Sequence, residues 1–212
     1  WEVPTTATEI RFGNRPVFAV NGKAIIGVPI SQEPGEAAID FRIENLSKKE
    51  IFRIKKKNYT EQRITLADTK MVSPPTKELE RIRKESAAQK AVYASFTPQI
   101  DLSPGFIMPL EGRKTSLYGH RRFFNDVPRS PHSGLDIAAP TGTPIVAPGP
   151  GRVALRGDFY FNGKTILLDH GQGLITMYCH MSEYMVEEGE FIDQGQMLGL
   201  VGSTGRSTGP HL

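Results

Sequence analysis

The stretch Lys164-Thr165-Ile166-Leu167-Leu168-Asp169-His170-Gly171-Gln172-Gly173-Leu174-Ile175-Thr176-Met177-Tyr178-Cys179-His180 decides the fold class. Its first arm reads as a strand, its second alternates with period two, and Gly171-Gln172-Gly173 suits the reversal between them. In the second arm Leu174, Thr176, Tyr178 and His180 are expected to share a face. Working outward, Ile145-Val146-Ala147 and Gly151-Arg152-Val153-Ala154-Leu155 read as strands around the Pro148-Gly149-Pro150 turn. Gln196 to Val201 reads as another. No helical period occurs between residues 113 and 212, so this segment is expected to be nearly all β.

Upstream the pattern is again short strands and turns. Pro16 to Val20 and Ala24 to Val28 flank Asn21-Gly22, a favourable type I′ pair, and Ala38 to Ile43 and Ile51 to Lys55 alternate. Composition shifts at Pro74-Pro75, and Thr76 is placed to cap a helix over residues 77–92. The apolar stripe of that helix is thin, which predicts a mostly exposed rod lying against a neighbour. The expected architecture is therefore mostly β: a small N-terminal β-sandwich or barrel over 1–73, a linking helix and linker over 74–112, and a C-terminal antiparallel β-sheet domain over 113–212.

Composition excludes several classes. Apolar residues make up 38% and charged residues 23%, with 21 Gly and 16 Pro, which is globular and turn-rich. A membrane-spanning run of about 18 apolar residues is absent. The formal charge of +3 favours an anionic partner such as a wall polymer. Nucleic acid is disfavoured, because aromatic residues do not interleave with a basic surface stripe. The run Arg53, Lys55, Lys56, Lys57 alternates at its start with Phe52 and Ile54 and reads as the solvent face of a strand. One cysteine, Cys179, rules out a disulfide framework. The chain opens on Trp1 rather than Met, so it is expected to be processed or trimmed.

All 5 histidines fall after residue 119. His132-Ser133-Gly134-Leu135-Asp136 places an imidazole and a carboxylate four residues apart. In a straight strand such residues lie roughly 13 Å apart, too far to share an ion, whereas a bend at Gly134 would bring them together. Spacing alone also allows an exposed His and Asp in a turn. His180 ends an alternating run, so it is either a group presented into a groove or a satisfied, half-buried histidine. His170 sits at a hairpin corner and reads as structural, and His120 beside Arg121 and Arg122 as surface or structural. His211 closes a loop, Gly202 to Pro210, that lacks the Lys-Ser/Thr end of a phosphate-cradling loop.

Four blocks in order resemble the lysostaphin-like (LytM-type, M23) metallopeptidases. They are Tyr118-Gly119-His120-Arg121, His132 through Pro144, Tyr178-Cys179-His180-Met181-Ser182, and Gly202 through Leu212. Residues 1–92 look more loosely like the accessory β domain that precedes some members. The resemblance implies a Zn2+ endopeptidase acting on peptide crosslinks or stem peptides of peptidoglycan, in the periplasm or elsewhere in the cell envelope or outside the cell. It implies His132 and Asp136 as metal ligands, with His180 and His211 as the two non-ligand catalytic histidines. The third ligand of the family is the second histidine of a His-x-His pair. His211 matches the first, so the ligand itself would follow Leu212, and the chain is expected to continue there. The competing expectation is a catalytically inactive wall-binding or regulatory module on the same fold. Oligomeric state is not legible.

Overall fold

The computed structural model describes residues 1–67, 69–98, 100–102 and 105–212. The protein is mostly β, as the sequence predicts, and forms two compact units. One is mainly Trp1–Asn58, and the other contains Tyr59–Ala94, Ile100–His170 and Ile175–Leu212. The linker expected over 74–112 includes residues 99, 103 and 104, which lie outside the described residues.

In the first unit Asn21 and Gly22 have φ of 49° and 71°, the left-handed pair that a type I′ turn requires. Phe18 pairs with Ile25 and Val20 with Lys23 across it. The returning arm stops at Ile25 instead of running to Val28, ahead of Pro29, which has no N–H for a ladder. A four-stranded sheet runs in the order Arg15–Pro16, Ala7–Phe12, Gly35–Ile43, Leu46–Ile54. Ile10, Val17, Ala24, Ile39 and Phe41 fill one core. Arg53 and the lysines after it are exposed while Phe52 and Ile54 are half-buried, the division that alternation predicts.

The second unit is organised by Gly163–Asp169, in which Thr165 to Asp169 are all buried. It lies between Ile175–Met181 and Gly151–Phe159, with Phe191–Ile192 at the far edge, all antiparallel. Ile145, Ile166, Leu168, Tyr178, Met181, Ile192, Leu198 and Val201 pack into one core, each large apolar side chain contributing roughly 1.5–3 kcal/mol by leaving water. His170 is fully buried within this unit. Its Nδ1–H donates to the Pro150 carbonyl at 2.6 Å, and its Nε2 meets the Thr176 hydroxyl at 2.7 Å. Both ring nitrogens are thus engaged, and burial lowers its pKa, so His170 is a neutral structural group.

The helix runs Thr76–Ala94 with no buried residue. It is strapped to the same unit by polar contacts instead of an apolar stripe. Arg81 donates to the Asp158 carbonyl at 2.9 Å, and Glu85 accepts the Tyr160 N–H at 2.8 Å. Residues 59–73, grouped by sequence with the first β segment, contribute Glu61–Ile64, which pairs in parallel with Arg121–Phe124. Arg113–Ser116 pairs with Asp136–Ala138. No helix among the described residues is long and apolar enough to cross a membrane.

Candidate metal centre

The chain bends at Gly134, and the strand Asp136–Ala138 starts two residues later. A Cβ on Gly134 would stand 3.6 Å from His132 Nε2, so the turn folds back over the imidazole. The result is a His132 Nε2 to Asp136 Oδ1 distance of 2.9 Å, against the roughly 13 Å of an extended strand. His132 Nδ1 lies 3.0 Å from the Leu117 carbonyl, which can only accept. The Nδ1–H is therefore the donor, and in the neutral ring the Nε2 lone pair faces Asp136. Asp136 turns its other oxygen, Oδ2, to Arg122 at 2.7 Å. Burial pushes the Asp136 carboxyl up, but the hydrogen bond and charge that His132 supplies when its Nε2 is protonated, together with the Arg122 and His211 charges, outweigh it. The net effect holds the group below the usual carboxylate range. An ionised carboxylate and a bare imidazole nitrogen this close are a fitting pair of donors for one divalent cation. Among the described residues no three His, Cys, Asp or Glu form a complete ligand set.

His180 reaches the same region through a bulge. Tyr178 is opposite Ile166 and Met181 opposite Lys164, a slip of one residue, and His180 has φ of 62°. The slip puts Tyr178 and Met181 together in the core and turns His180 the other way, so the shared face expected for Tyr178 and His180 is not formed. Bulges re-aim side chains in this manner beside functional sites. His180 Nδ1–H donates to the Thr204 carbonyl at 2.7 Å. Burial lowers its pKa to about 4, with the Thr204 hydrogen bond opposing and the His211 charge adding to the shift. His211 bridges to Ala138 and Gly202, and Leu212 exchanges backbone hydrogen bonds with Ile137. His211 Nδ1–H donates to the Gly209 carbonyl at 2.7 Å. The two rings lie side by side, tilted by 44° with centroids 4.7 Å apart. His132, His180 and His211 thus share one device: a backbone carbonyl holds Nδ1–H and leaves Nε2 to act. Asp136, His180, Arg206 and His211 line one hollow, with Ile64, Leu66 and Phe124 also on its wall.

The loop carrying His211 is rich in glycine yet tightly held. Gly205 approaches Gly163 so closely that a Cβ would stand 2.3 Å from the Gly163 nitrogen. The Thr204 hydroxyl accepts from Lys164 N at 2.9 Å and donates to the Met181 carbonyl at 2.8 Å. The backbone of the loop is therefore a fixed part of the wall.

Four further side chains at the site were not singled out from the sequence. Ser116, buried at 1% exposure, donates to Gln62 at 2.9 Å and sits 3.0 Å from His132 Nδ1 and 3.3 Å from His120 Nδ1. Gln62 also accepts from Arg122 at 3.1 Å. Arg122 is the link to Asp136, and Arg206 is the fourth. His120 keeps its supporting role: its carbonyl accepts the His132 N–H at 2.9 Å. Partners that orient ligands are typically worth about 10–100-fold in metal affinity. Arg122→Gln is expected to weaken Zn2+ binding by about that factor, read by competition with a chromophoric chelator. Unchanged affinity would remove Arg122 from the site.

Residues 130–212 match the model of peptidase family M23. A peptidoglycan DD-endopeptidase, ShyA, of Vibrio cholerae is 41% identical over 83 residues, which is 39% of this chain and 19% of that protein. A DD-carboxypeptidase/endopeptidase, Mpg, of Neisseria meningitidis is 43% identical over 81 residues, 38% of this chain and 19% of that protein. These matches span about a fifth of the relatives' own length. A crystal structure assigned to peptidase M23 from Pseudomonas aeruginosa superposes with a TM-score of 0.78 at 36% identity, covering 99% of this chain and 82% of that one.

Proposed function

Because this chain belongs to peptidase family M23, we propose that it is part of a zinc-dependent endopeptidase that cuts peptide crosslinks or stem peptides of peptidoglycan. The convergence of His132 Nε2 and Asp136 Oδ1 at 2.9 Å, beside two histidines whose Nε2 atoms make no hydrogen bond among the described residues, carries the reading. His132 and Asp136 would hold Zn2+, which when bound supplies Lewis acidity at the scissile carbonyl and acidifies water.

The chain's own residues do the rest. Leu117 fixes the His132 tautomer, and Arg122 fixes the Asp136 rotamer. With its pKa lowered to about 4, His180 is neutral near pH 7 and its Nε2 accepts a proton from water. His211, beside it at 4.7 Å, is the second proton carrier, so the pair between them takes the proton and returns it to the departing amine. Either ring, once protonated, also stabilises the oxyanion formed at the cleaved carbonyl. Peptidoglycan as substrate places the protein in the periplasm or at the cell envelope, in line with the wall-directed names of the relatives.

Digestion of purified sacculi tests this. Release of soluble peptide fragments is expected with Zn2+ and is lost with chelator. Release that persists in chelator would overturn the metal mechanism, and binding without release would favour the non-catalytic wall-binding module.

A further inference from the structure

Arg206 has no role in the scheme above, yet it lines the same hollow as Asp136, His180 and His211. Its guanidinium lies 4.5 Å from the Phe124 ring centroid and 4.4 Å from that of Phe161. One donor, Nη1, makes a long 3.3 Å contact to the Met71 carbonyl. Among the described residues no carboxylate pairs with it. Arg122 differs, because its charge is spent on Asp136 at 2.7 Å. A guanidinium carries five N–H donors in a planar fork, so most of the hydrogen-bonding capacity of Arg206 is unspent. Burial, together with Arg122 and Arg129, lowers its pKa to about 10, which leaves it cationic near neutral pH.

The position is also fixed. Arg206 N–H donates to the Phe161 carbonyl at 2.8 Å, and the Gly205–Gly163 approach pins the turn just before it. Two aromatic faces hold the guanidinium. A half-buried cation that is pre-set, has no carboxylate partner among the described residues and shares a hollow with the proposed reacting groups is built to receive an anion. The fork geometry matches a planar carboxylate. The anion must belong to the substrate, because the hollow is shared with the groups that would meet the peptide bond.

We propose that Arg206 is a specificity-determining residue that binds a free carboxylate of the peptide substrate beside the bond that is cut. The inference rests on the endopeptidase reading. It narrows the substrate to peptides carrying a carboxylate near the cleavage point, such as a free chain terminus or an acidic side branch.

The test uses soluble crosslinked wall fragments and the same fragments with carboxylates converted to carboxamides by carbodiimide and ammonia. A hydrogen bond between charged groups is worth about tenfold or more. The full protein is expected to cut native fragments at least about tenfold more efficiently than amidated ones. Arg206→Gln is expected to lose that preference by slowing only on native fragments. Calorimetry of both fragments with chelated protein should show the same carboxylate preference in affinity, independent of turnover. Equal handling of the two fragments by the wild type, or an equal loss on both in Arg206→Gln, would overturn the proposal. If the wild type cuts neither fragment but still binds the carboxylate form more tightly, the endopeptidase reading fails and the carboxylate site stands.

Discussion

Replacing His132 with Ala, or Asp136 with Asn, is expected to remove both bound zinc and turnover. The two donors stand 2.9 Å apart, and each offers an atom the other cannot replace. His132→Ala deletes the imidazole whose Nδ1–H is held by Leu117. Asp136→Asn keeps the shape but deletes the charge that Arg122 and a cation share. Asn is the better test than Ala, because Ala would also strand the half-buried Arg122 guanidinium, and breaking a buried pair costs about 3–5 kcal/mol. Lewis-acid chemistry is worth several kcal/mol, so the loss in rate should be on the order of a thousandfold or more. Metal analysis after dialysis and a rate on wall fragments measure the two losses together. A variant that keeps zinc at wild-type level would remove that residue from the ligand set.

Replacing His180 or His211 with Ala has a different expected signature: zinc retained, turnover reduced. In the proposed site neither Nε2 holds the ion, and both Nδ1 atoms are tied to carbonyls of the 202–211 loop. Positioned proton transfer contributes about 10²–10⁴-fold, and each single variant should fall in that range. Because the rings lie side by side at 4.7 Å, they are expected to act as a unit, and the double variant should lose much less than the product of the two single losses. With its pKa lowered to about 4, His180 does not gain a proton until well below neutrality. Its contribution should therefore persist through mildly acid conditions, and a rate that collapses just below pH 7 in parallel with the His180→Ala deficit would contradict its assignment as base.

Much of this was legible because it is local. The Asn21-Gly22 turn needs only two left-handed residues, the Lys164 to His180 hairpin announces itself by period, and a glycine between His132 and Asp136 signals the bend. His180 was harder. Its strand alternates cleanly in sequence, but the one-residue bulge between Tyr178 and Met181 reverses the faces, and nothing in the side-chain pattern marks a bulge whose left-handed residue is histidine. The support shell was illegible for another reason. Gln62, Ser116 and Arg122 are ordinary polar residues scattered along the chain. Gln62 meets Arg122 because Glu61–Ile64 pairs in parallel with Arg121–Phe124, and Ser116 joins them through the pairing of Arg113–Ser116 with Asp136–Ala138; a parallel pairing between distant segments has no turn to advertise it. Arg206 lies within the Gly202 to Leu212 block, and the role proposed for it depends on Phe124 and Phe161, which approach it only in three dimensions.

The central claim is that one cation is gripped by His132 and Asp136. X-ray absorption at the zinc edge, together with anomalous scattering from a crystal of the zinc-loaded protein, measures it directly. The account predicts a single zinc within about 2.0–2.2 Å of both His132 Nε2 and Asp136 Oδ1, with His180 and His211 outside bonding distance. A zinc bound by His180 or His211 without His132, or one that touches neither Asp136 nor His132, would contradict it.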